Sequence, residues 1–199
     1  MQIFMYLCTQ ISTAMEQTVT IYCKNTKEYV EVACGTSLRE LYDSLGLTLP
    51  YPVLAARVNY KVQSLNFVLY KPKDVEFIDV TSDDGMRMYV RSLTFIFMKA
   101  MNELFPGETV RFENAISKGY YCRMDKPLSD EQVAWVREKM QRIIDCDIPF
   151  ERVECHTDEA IEVFERMGRV DKVRLLETYD HLYTSYYELD GYVDSYYNG

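Results

Sequence analysis

The chain has 199 residues, of which 48% are hydrophobic and 27% are charged, a composition that permits one large globular domain or two small ones. Its net charge of −9 disfavours generic binding to a phosphate backbone, although a local basic groove stays open as an alternative. The charge is uneven, because residues 16–80 carry 7 basic and 8 acidic side chains, whereas residues 81–199 carry 15 and 23.

Residues 1–15 form a fairly apolar leader without lysine or arginine, so they lack the basic start of a signal peptide. The leader is also too short and too polar to span a bilayer. We interpret it as an upstream extension, with Met15 as a candidate natural start. An extra strand and a disordered tail are the alternatives, and the leader carries no function in our interpretation.

The residues from Glu16 onward predict a small sheet crossed by one helix. TVTIYCKN and TKEYVEVACG alternate as the strands of a hairpin do, and GTSLRELYDSLGL predicts a helix with a capping box formed by Ser37 and Glu40. Gly46 is suited to end that helix in a left-handed turn. The predicted buried stripe consists of Leu38, Leu41, Tyr42 and Leu45. Further strands follow in AARVNYKVQSL and in KDVEFIDV, an order typical of the ubiquitin-like β-grasp.

The run AARVNYKVQSLNFVLYKPKDVEFIDV, behind the helix start GTSLREL, resembles the TGS domain. The TGS domain is a ubiquitin-like module found in threonyl-tRNA synthetases, certain GTPases and stringent-response enzymes. The resemblance covers residues 17–80 and implies a β-grasp domain over residues 16–82. Its motifs specify the fold better than the partner.

The polar segment Ser82–Gly85 is the predicted domain boundary, with Gly85 free to adopt a positive φ. Residues 86–199 then predict a helix, a hairpin with its turn at residues 117–119, and a long helix capped by Ser129 and Gln132. A strand, a third helix and a hairpin turning at Asp190 and Gly191 complete the order. The predicted core face of the first helix is Leu93, Phe97, Ala100, Met101 and Leu104, and that of the long helix is Val133, Val136, Met140, Ile143 and Ile144.

This second order of elements is similar to the second additional, or editing, domain of threonyl- and alanyl-tRNA synthetases. The likeness is carried by MKAMNELFP, by GYYCRM before LSDEQVAWVREKMQRII, by PFERVECHTDEAIEVFERMG with Lys172 behind it, and by the ending DGYVDSYYNG. The resemblance covers residues 86–199 and implies an α+β editing-like domain whose C-terminal end is truncated. The predicted fold class is therefore α+β, with a TGS-type β-grasp domain before an editing-like domain.

In that family the domain clears mischarged tRNA with an H-x-x-x-H pair on the first helix and a later C-x-x-x-H. Carried onto this sequence, the two histidine positions fall on Arg91 and Phe95, and the cysteine position falls on Tyr196 or, one residue later, Tyr197. Arginine stays protonated and phenylalanine has no proton to exchange, so we predict no catalytic residues and no metal site. Asp194 matches the family's aspartate.

The same tandem without the histidines resembles the region in front of the P-loop kinase domain of bacterial uridine-kinase-like proteins. No G-x-x-x-x-G-K-[ST] motif occurs in the 199 residues, so we expect no cofactor here, with ATP and Mg²⁺ belonging to a kinase domain beyond Gly199. The resemblance implies a non-catalytic, cytoplasmic regulatory or ligand-binding region. Its expected partners are its own kinase domain and a nucleotide or tRNA, without a membrane.

The candidate ligand-binding residues are Arg91, Phe95, Tyr120, Tyr121, Asp194 and Tyr196. Arg91 could pair with a phosphate or carboxylate and the tyrosines could stack on a base. The alternative is that Arg91 is a solvated residue and that the tyrosines only pack.

Two further functions stay open. One is an aminoacyl-tRNA deacylase with rearranged chemistry, for which Cys122, Cys155, His156 and His181 are the only candidates for a Cys/His arrangement. The other is a protein-interaction scaffold. The six cysteines form no C-x-x-C pair, which favours reduced thiols in a cytoplasmic protein.

Overall fold

The computed structural model describes residues 17–116, 119–178 and 181–195 and shows a mixed α+β protein. It forms two compact units, and the division falls between Ser92 and Leu93, within one helix. The strands are β1 Thr18–Cys23, β2 Glu28–Ala33, β3 Thr36–Ser37, β4 Ala55–Val58, β5 Lys61–Gln63, β6 Val68–Leu69, β7 Lys73–Ile78, β8 Val110–Ile116, β9 Gly119–Met124, β10 Glu151–His156, β11 Tyr183–Leu189 and β12 Tyr192–Asp194. The helices are α1 Leu38–Leu45, α2 Asp83–Leu104, α3 Asp130–Asp145, α4 Thr157–Arg166 and α5 Val170–Glu177.

The first unit is built on a five-stranded sheet with the order β2-β1-β7-β4-β5. β1 pairs with β2 in antiparallel fashion and with β7 in parallel fashion, which puts the first and last strands side by side in the middle of the sheet. Helix α1 covers one face, where Leu38 and Leu41 are fully buried against residues of β1, β4 and β7 such as Ile21. The predicted hairpin and helix are confirmed.

Local capping confirms the predicted bounds of two helices. The Ser37 hydroxyl accepts from the Glu40 backbone N–H while the Glu40 carboxylate accepts from the Ser37 N–H, and Gly46 ends α1 with φ 59°. Ser129 and Gln132 form the same reciprocal pair at the start of α3. Each capping box satisfies two backbone donors that the first helical turn leaves without partners.

Gly85, in the polar segment predicted as the domain boundary, lies in the first turn of α2 and does not adopt the positive φ that glycine permits. A Cβ atom at Gly85 would lie 1.9 Å from the backbone oxygen of Asp79. The Asp79 carboxylate is buried and accepts from the Tyr51 and Thr81 backbone N–H groups. Glycine is therefore required here because the helix start packs directly on the chain leaving β7.

Arg57 fixes the same helix start to the sheet. Its Nε donates to Asp84 at 2.8 Å and its Nη1 donates to Glu76 at 3.1 Å. The hydrogen bond from Arg57, followed by that from Arg87, holds the pKa of the Asp84 carboxyl below its usual range. These contacts lie within the first unit, to which the first part of α2 belongs.

The second unit contains a three-stranded antiparallel sheet, β10-β11-β12, and a separate two-stranded ribbon, β8-β9. Helices α4 and α5 pack on the sheet through a core that includes Phe164, Leu176 and Tyr186. A second core joins the later part of α2 to α3 and to the β11–β12 hairpin, with Phe95 and Leu189 almost fully buried. The predicted turn at Asp190 and Gly191 is confirmed, with φ values of 46° and 76°.

The predicted core faces of α2 and α3 are only partly correct. In α2, Ala100 and Met101 are buried as expected, but Leu93 is exposed and Phe95 takes the buried position. In α3, Val136 and Ile143 are buried, whereas Val133 and Ile144 are each 45% exposed. The reason lies in tertiary packing. The residues that pack against each helix contact a face that differs from the stripe richest in apolar residues.

Buried Lys99 ties α2 to the last hairpin of the second unit. Its ammonium group lies 2.6 Å from the Glu103 carboxylate and donates to the Asp190 carbonyl at 2.8 Å. Lys139 of α3 pairs with the same glutamate, and the Asp190 carboxylate lies 3.3 Å from the Lys99 ammonium, so two carboxylates balance the two lysines. In the parts of the chain that the structure describes, no helix combines the length and apolar character needed to cross a membrane.

Candidate functional site

A buried carboxylate with two cationic partners forms the most developed polar site of the second unit. Asp194, at the end of β12, has an 11% exposed side chain. Its Oδ1 lies 2.8 Å from the Lys172 ammonium and its Oδ2 lies 3.5 Å from the Arg169 guanidinium. Arg169 precedes α5 and Lys172 lies in its first turn, so the β12–α5 packing assembles the site. We call these three residues with Tyr192 and Ser195 the Asp194 cluster.

Tyr192 and Ser195 complete the hydrogen bonds around Asp194. The Tyr192 hydroxyl donates to Oδ2 at 3.3 Å, and the Ser195 backbone N–H donates to Oδ1 at 2.7 Å. Lys172 also donates to the Ser195 carbonyl at 2.8 Å. The Ser195 Oγ is buried and has no hydrogen-bond partner among the residues that the structure describes. A buried hydroxyl without a partner costs free energy unless a further group satisfies it.

Burial and neighbouring charges shift the pKa values of Tyr192 and Arg169. Burial, followed by the Asp194 charge, raises the pKa of the Tyr192 hydroxyl above its usual value. Burial alone would lower the pKa of Arg169, but the hydrogen bond to Asp171 and the charge of Asp194 raise it. The tyrosine therefore stays neutral and the arginine stays charged at neutral pH.

The cluster is suited to binding rather than to proton transfer. Both cations keep accessible surface, 22% of the Arg169 side chain and 16% of the Lys172 side chain. Such groups can meet an anionic or hydroxyl-bearing ligand through charge-assisted hydrogen bonds. Asp194 is engaged by two cations and two further donors, so its oxygens are committed to holding the cluster together.

Phe95 lies beneath this cluster as an apolar support. Its side chain is 1% exposed and contacts the rings of Phe150 and Tyr192 edge-on, with centroid distances of 5.3 Å and 5.2 Å. Through Tyr192 it supports the donor to Asp194. The structure thus brings together two predicted site residues, Phe95 and Asp194, with the benzyl ring in a packing role.

The other predicted site residues lie elsewhere or outside the described part. Arg91 lies in α2 on the first-unit side of the division, with an exposed side chain. Tyr120 and Tyr121 lie in β9 and are 52% and 49% exposed. Neighbouring residues of a strand point to opposite faces, so one ligand can stack on only one of this pair from a given face. Tyr196, and with it the predicted cysteine position, lies outside the described residues.

The Cys/His alternative receives no support from the thiol chemistry. Burial raises the pKa of Cys122, and burial followed by the charge of Glu159 raises the pKa of Cys155, which disfavours the reactive thiolate in both. The His156 Nδ1 lies 3.3 Å from the Asp158 carboxylate. Within residues 17–116, 119–178 and 181–195, no group of three or more His, Cys, Asp or Glu side chains could hold a metal ion.

Four members of the cluster are not among the predicted site residues, namely Arg169, Lys172, Tyr192 and Ser195. Lys172 contributes to the family likeness of the sequence, but no role is predicted for it. The sequence offers one usable signal, because an arginine and a lysine three residues apart at a helix start place two cations on one face. No local sequence pattern links these two cations to Asp194, which lies 22 residues after Lys172.

The chain is similar to part of several threonine–tRNA ligases. It is 31% identical to the ligase of Desulforamulus reducens over 160 residues, which cover 79% of this chain and 25% of the ligase. It is 27% identical to the ligase of Acetivibrio thermocellus over 179 residues, which cover 88% of this chain and 28% of that ligase. It is 27% identical to the ligase of Marinobacter nauticus over 143 residues, which cover 71% of this chain and 22% of that ligase. No protein-family model matches the chain.

The chain thus spans about a quarter of the length of the curated relatives it matches. These relatives support the resemblance to threonyl-tRNA synthetase and favour the editing-type interpretation over the nucleoside-kinase one. The two compact units and the Asp194 cluster therefore belong to a chain whose relatives are threonine–tRNA ligases.

Proposed function

We propose that this chain is a TGS-plus-editing-type module that binds the acceptor end of a tRNA without hydrolysing an aminoacyl ester. The Asp194 cluster is the proposed binding site in the second unit. The support comes from the similarity to threonine–tRNA ligases, whose name states that they act on tRNA. The carrying observation is a buried carboxylate that positions two partly accessible cations beside a buried serine hydroxyl.

The strand order of the first unit supports its interpretation as a TGS-type β-grasp. Parallel first and last strands in the middle of a five-stranded sheet, with one helix across the core face, are what that arrangement requires. The α+β order of the second unit supports its interpretation as an editing-like domain. The proposed extents are 16–82 for the first domain and 86–199 for the second.

The residues at the family's histidine positions support binding without hydrolysis. Phe95 offers neither a proton nor a lone pair and is fully packed. Arg91 carries a guanidinium group, which donates hydrogen bonds and does not serve as a general base. Hydrolysis of the ester requires a group that activates water, and the raised thiol pKa values of Cys122 and Cys155 disfavour the cysteine alternative.

The acceptor end offers the groups that this cluster can bind. It carries phosphates, which the partly accessible Arg169 guanidinium and Lys172 ammonium attract. Within the second unit, one of Tyr120 and Tyr121 remains a proposed additional contact for a base. The nucleoside-kinase and scaffold interpretations rest on the sequence resemblance and on the acidic charge alone.

Fluorescence anisotropy with labelled threonine tRNA tests this proposal on the full chain. We expect tRNA with a complete 3′ end to bind about 5- to 150-fold more tightly than tRNA lacking its terminal adenosine, because one stacked base contributes about 1–3 kcal/mol. Lys172→Gln should reduce this preference. Lys126→Gln, the same change at an exposed position of the second unit, should leave it intact.

Equal affinity for the two tRNAs would remove the acceptor end from the proposal. If the Lys172 and Lys126 variants lost this preference equally, the effect would be due to net charge and not to the Asp194 cluster. Trp135 is the only tryptophan of the chain and lies in α3 of the second unit, so its fluorescence checks that the Lys172 variant remains folded.

A further inference from the structure

Strand β2 leaves one edge of the first unit's sheet open. It lies at the end of the order β2-β1-β7-β4-β5, and no other strand that the structure describes pairs with its outer side. The opposite edge is β5, which has three residues and begins at Lys61, whereas β2 has six residues with neither lysine nor proline. Short edge strands, edge lysines and edge prolines prevent strand addition, so β2 is the edge that can accept another strand.

The register between β1 and β2 shows which backbone groups of β2 point outward. The Cys34 N–H donates to the Gln17 carbonyl, and hydrogen-bonded pairs alternate from there along the antiparallel ladder. Val30 therefore bonds to β1, whereas the N–H and C=O groups of Tyr29 and Glu31 point away from it. These outward groups can form hydrogen bonds with a further strand.

The side chains along this edge form a series that is basic, then aromatic, then acidic. Tyr29 and Glu31 lie two residues apart in β2, so they share one face of the sheet. Tyr29 is 75% exposed, and its ring centroid lies 5.0 Å from that of Tyr22 in β1. Lys27 immediately precedes β2, is exposed and has a flexible four-carbon side chain. Among residues 17–116, 119–178 and 181–195, neither Lys27 nor Glu31 has an ion-pair partner.

We propose that β2 pairs with β2 of a second copy of this chain, in antiparallel fashion and with Tyr29 on the two-fold axis. In this register the two Tyr29 residues exchange backbone hydrogen bonds, and their side chains lie opposite each other. Lys27 of each copy lies opposite Glu31 of the other copy, so the dimer contains two opposite-charge pairs. The two five-stranded sheets become continuous across the axis.

The charges select both this register and this partner. A pairing centred on Glu31 would place two carboxylates directly opposite each other, and like charges in that position destabilise a sheet. A strand of another protein could use the same backbone groups, but the series Lys27, Tyr29, Glu31 is complementary to its own reverse. Two short strands bury less than the about 1,200 Å² of a stable interface, so the dimer is weak and its population depends on protein concentration.

Sedimentation equilibrium of the full chain between about 1 µM and 1 mM tests the proposal. We expect the average mass to rise from that of one chain toward that of two. Lys27→Glu and Glu31→Lys each place like charges opposite each other at both symmetric positions, and each should weaken the dimer about 5- to 100-fold. Lys61→Glu, the same change at the start of β5, is the matched control and should leave the dimer unchanged. Because the readout is mass, the inference does not rest on the function proposed above.

An equimolar mixture of the two charge variants separates the proposed pairing from a general effect of charge. In a mixed dimer, both acidic side chains of the Lys27→Glu chain lie opposite both lysines of the Glu31→Lys chain. The mixture should therefore regain the association that neither variant shows alone. Both positions are exposed, so circular dichroism should show the wild-type fold for each variant.

Hydrogen exchange identifies what covers the β2 edge. The outward amide hydrogens of Tyr29 and Glu31 exchange rapidly in a monomer, and we expect their protection to increase with protein concentration. Protection that is the same at every concentration would mean that another segment of the same chain covers the edge, and this would overturn the proposal. A chain that stays monomeric at about 1 mM would overturn it too. So would a mixture that fails to associate, or equal weakening by Lys61→Glu.

Discussion

Replacing Asp194 with alanine is expected to lower the free energy of unfolding of the second unit by about 3–5 kcal/mol. The carboxylate lies 2.8 Å from Lys172 and 3.5 Å from Arg169, and it accepts from the Ser195 backbone N–H. Removing it leaves two desolvated cations without their common partner. A lost partner in a buried pair is costly because the remaining charge cannot regain its water.

Urea unfolding followed by Trp135 fluorescence measures this effect in the second unit. Asp171→Ala is the matched control, because Asp171 also pairs with Arg169 but has a 65% exposed side chain. That exposed pair should contribute no more than about 1 kcal/mol. Lys172→Met should recover part of the loss when combined with Asp194→Ala, since it removes one of the stranded charges. Equal effects of the two aspartate variants would show that the cluster is not a stabilising unit.

Replacing Gly85 with alanine is expected to destabilise the first unit by about 2–3 kcal/mol. In an exposed helix the same change stabilises by about 1 kcal/mol, so the sign of the effect is diagnostic. The new Cβ would lie 1.9 Å from the Asp79 oxygen and 2.7 Å from its carbonyl carbon. Asp79 cannot easily retreat, because its buried side chain accepts from Tyr51 and Thr81.

Far-UV circular dichroism during urea unfolding, with Trp135 fluorescence as the separate signal of the second unit, tests this prediction. Gly107→Ala provides the comparison, because Gly107 has φ 88° but a Cβ atom added there would meet no heavy atom within 4 Å. Its cost is limited to backbone strain of about 1–2 kcal/mol. A stabilised Gly85→Ala variant would mean that the helix start is not packed on Asp79.

The features that the sequence predicts well depend on neighbouring residues. Both capping boxes, Ser37 with Glu40 and Ser129 with Gln132, require only a hydroxyl and a carboxylate or amide three positions later. The turn at Asp190 and Gly191 depends on residues that tolerate positive φ. Such motifs act through local backbone geometry and so can be recognised without knowing the tertiary fold.

The features that the sequence predicts wrongly depend on tertiary partners. Gly85 has the composition of a domain boundary around it, but its missing side chain serves the close packing of a helix. Periodicity selects Leu93 for the core of α2, whereas Phe95 is buried because Phe150 and Tyr192 lie on its side of the helix. A sequence pattern gives the apolar residues of a helix but not the position of what packs against them.

The candidate site is predictable only as separate residues. The family likeness points to Asp194, and to Phe95 as the replacement of a histidine, but it assigns no role to the cations that hold Asp194. Their meeting depends on the packing of α5 against β12.

The central claim, binding of the acceptor end without hydrolysis, is tested most directly by a single-turnover deacylation assay with mischarged threonine tRNA and excess protein. We predict that the ester decays at the rate seen without protein, while anisotropy in the same mixture shows that the tRNA is bound. Phe95 and Arg91 supply no group that activates water, so binding leaves the ester intact. Protein-dependent release of the amino acid that is lost in a Cys155→Ala or His156→Ala variant would contradict the account and establish a deacylase with rearranged chemistry.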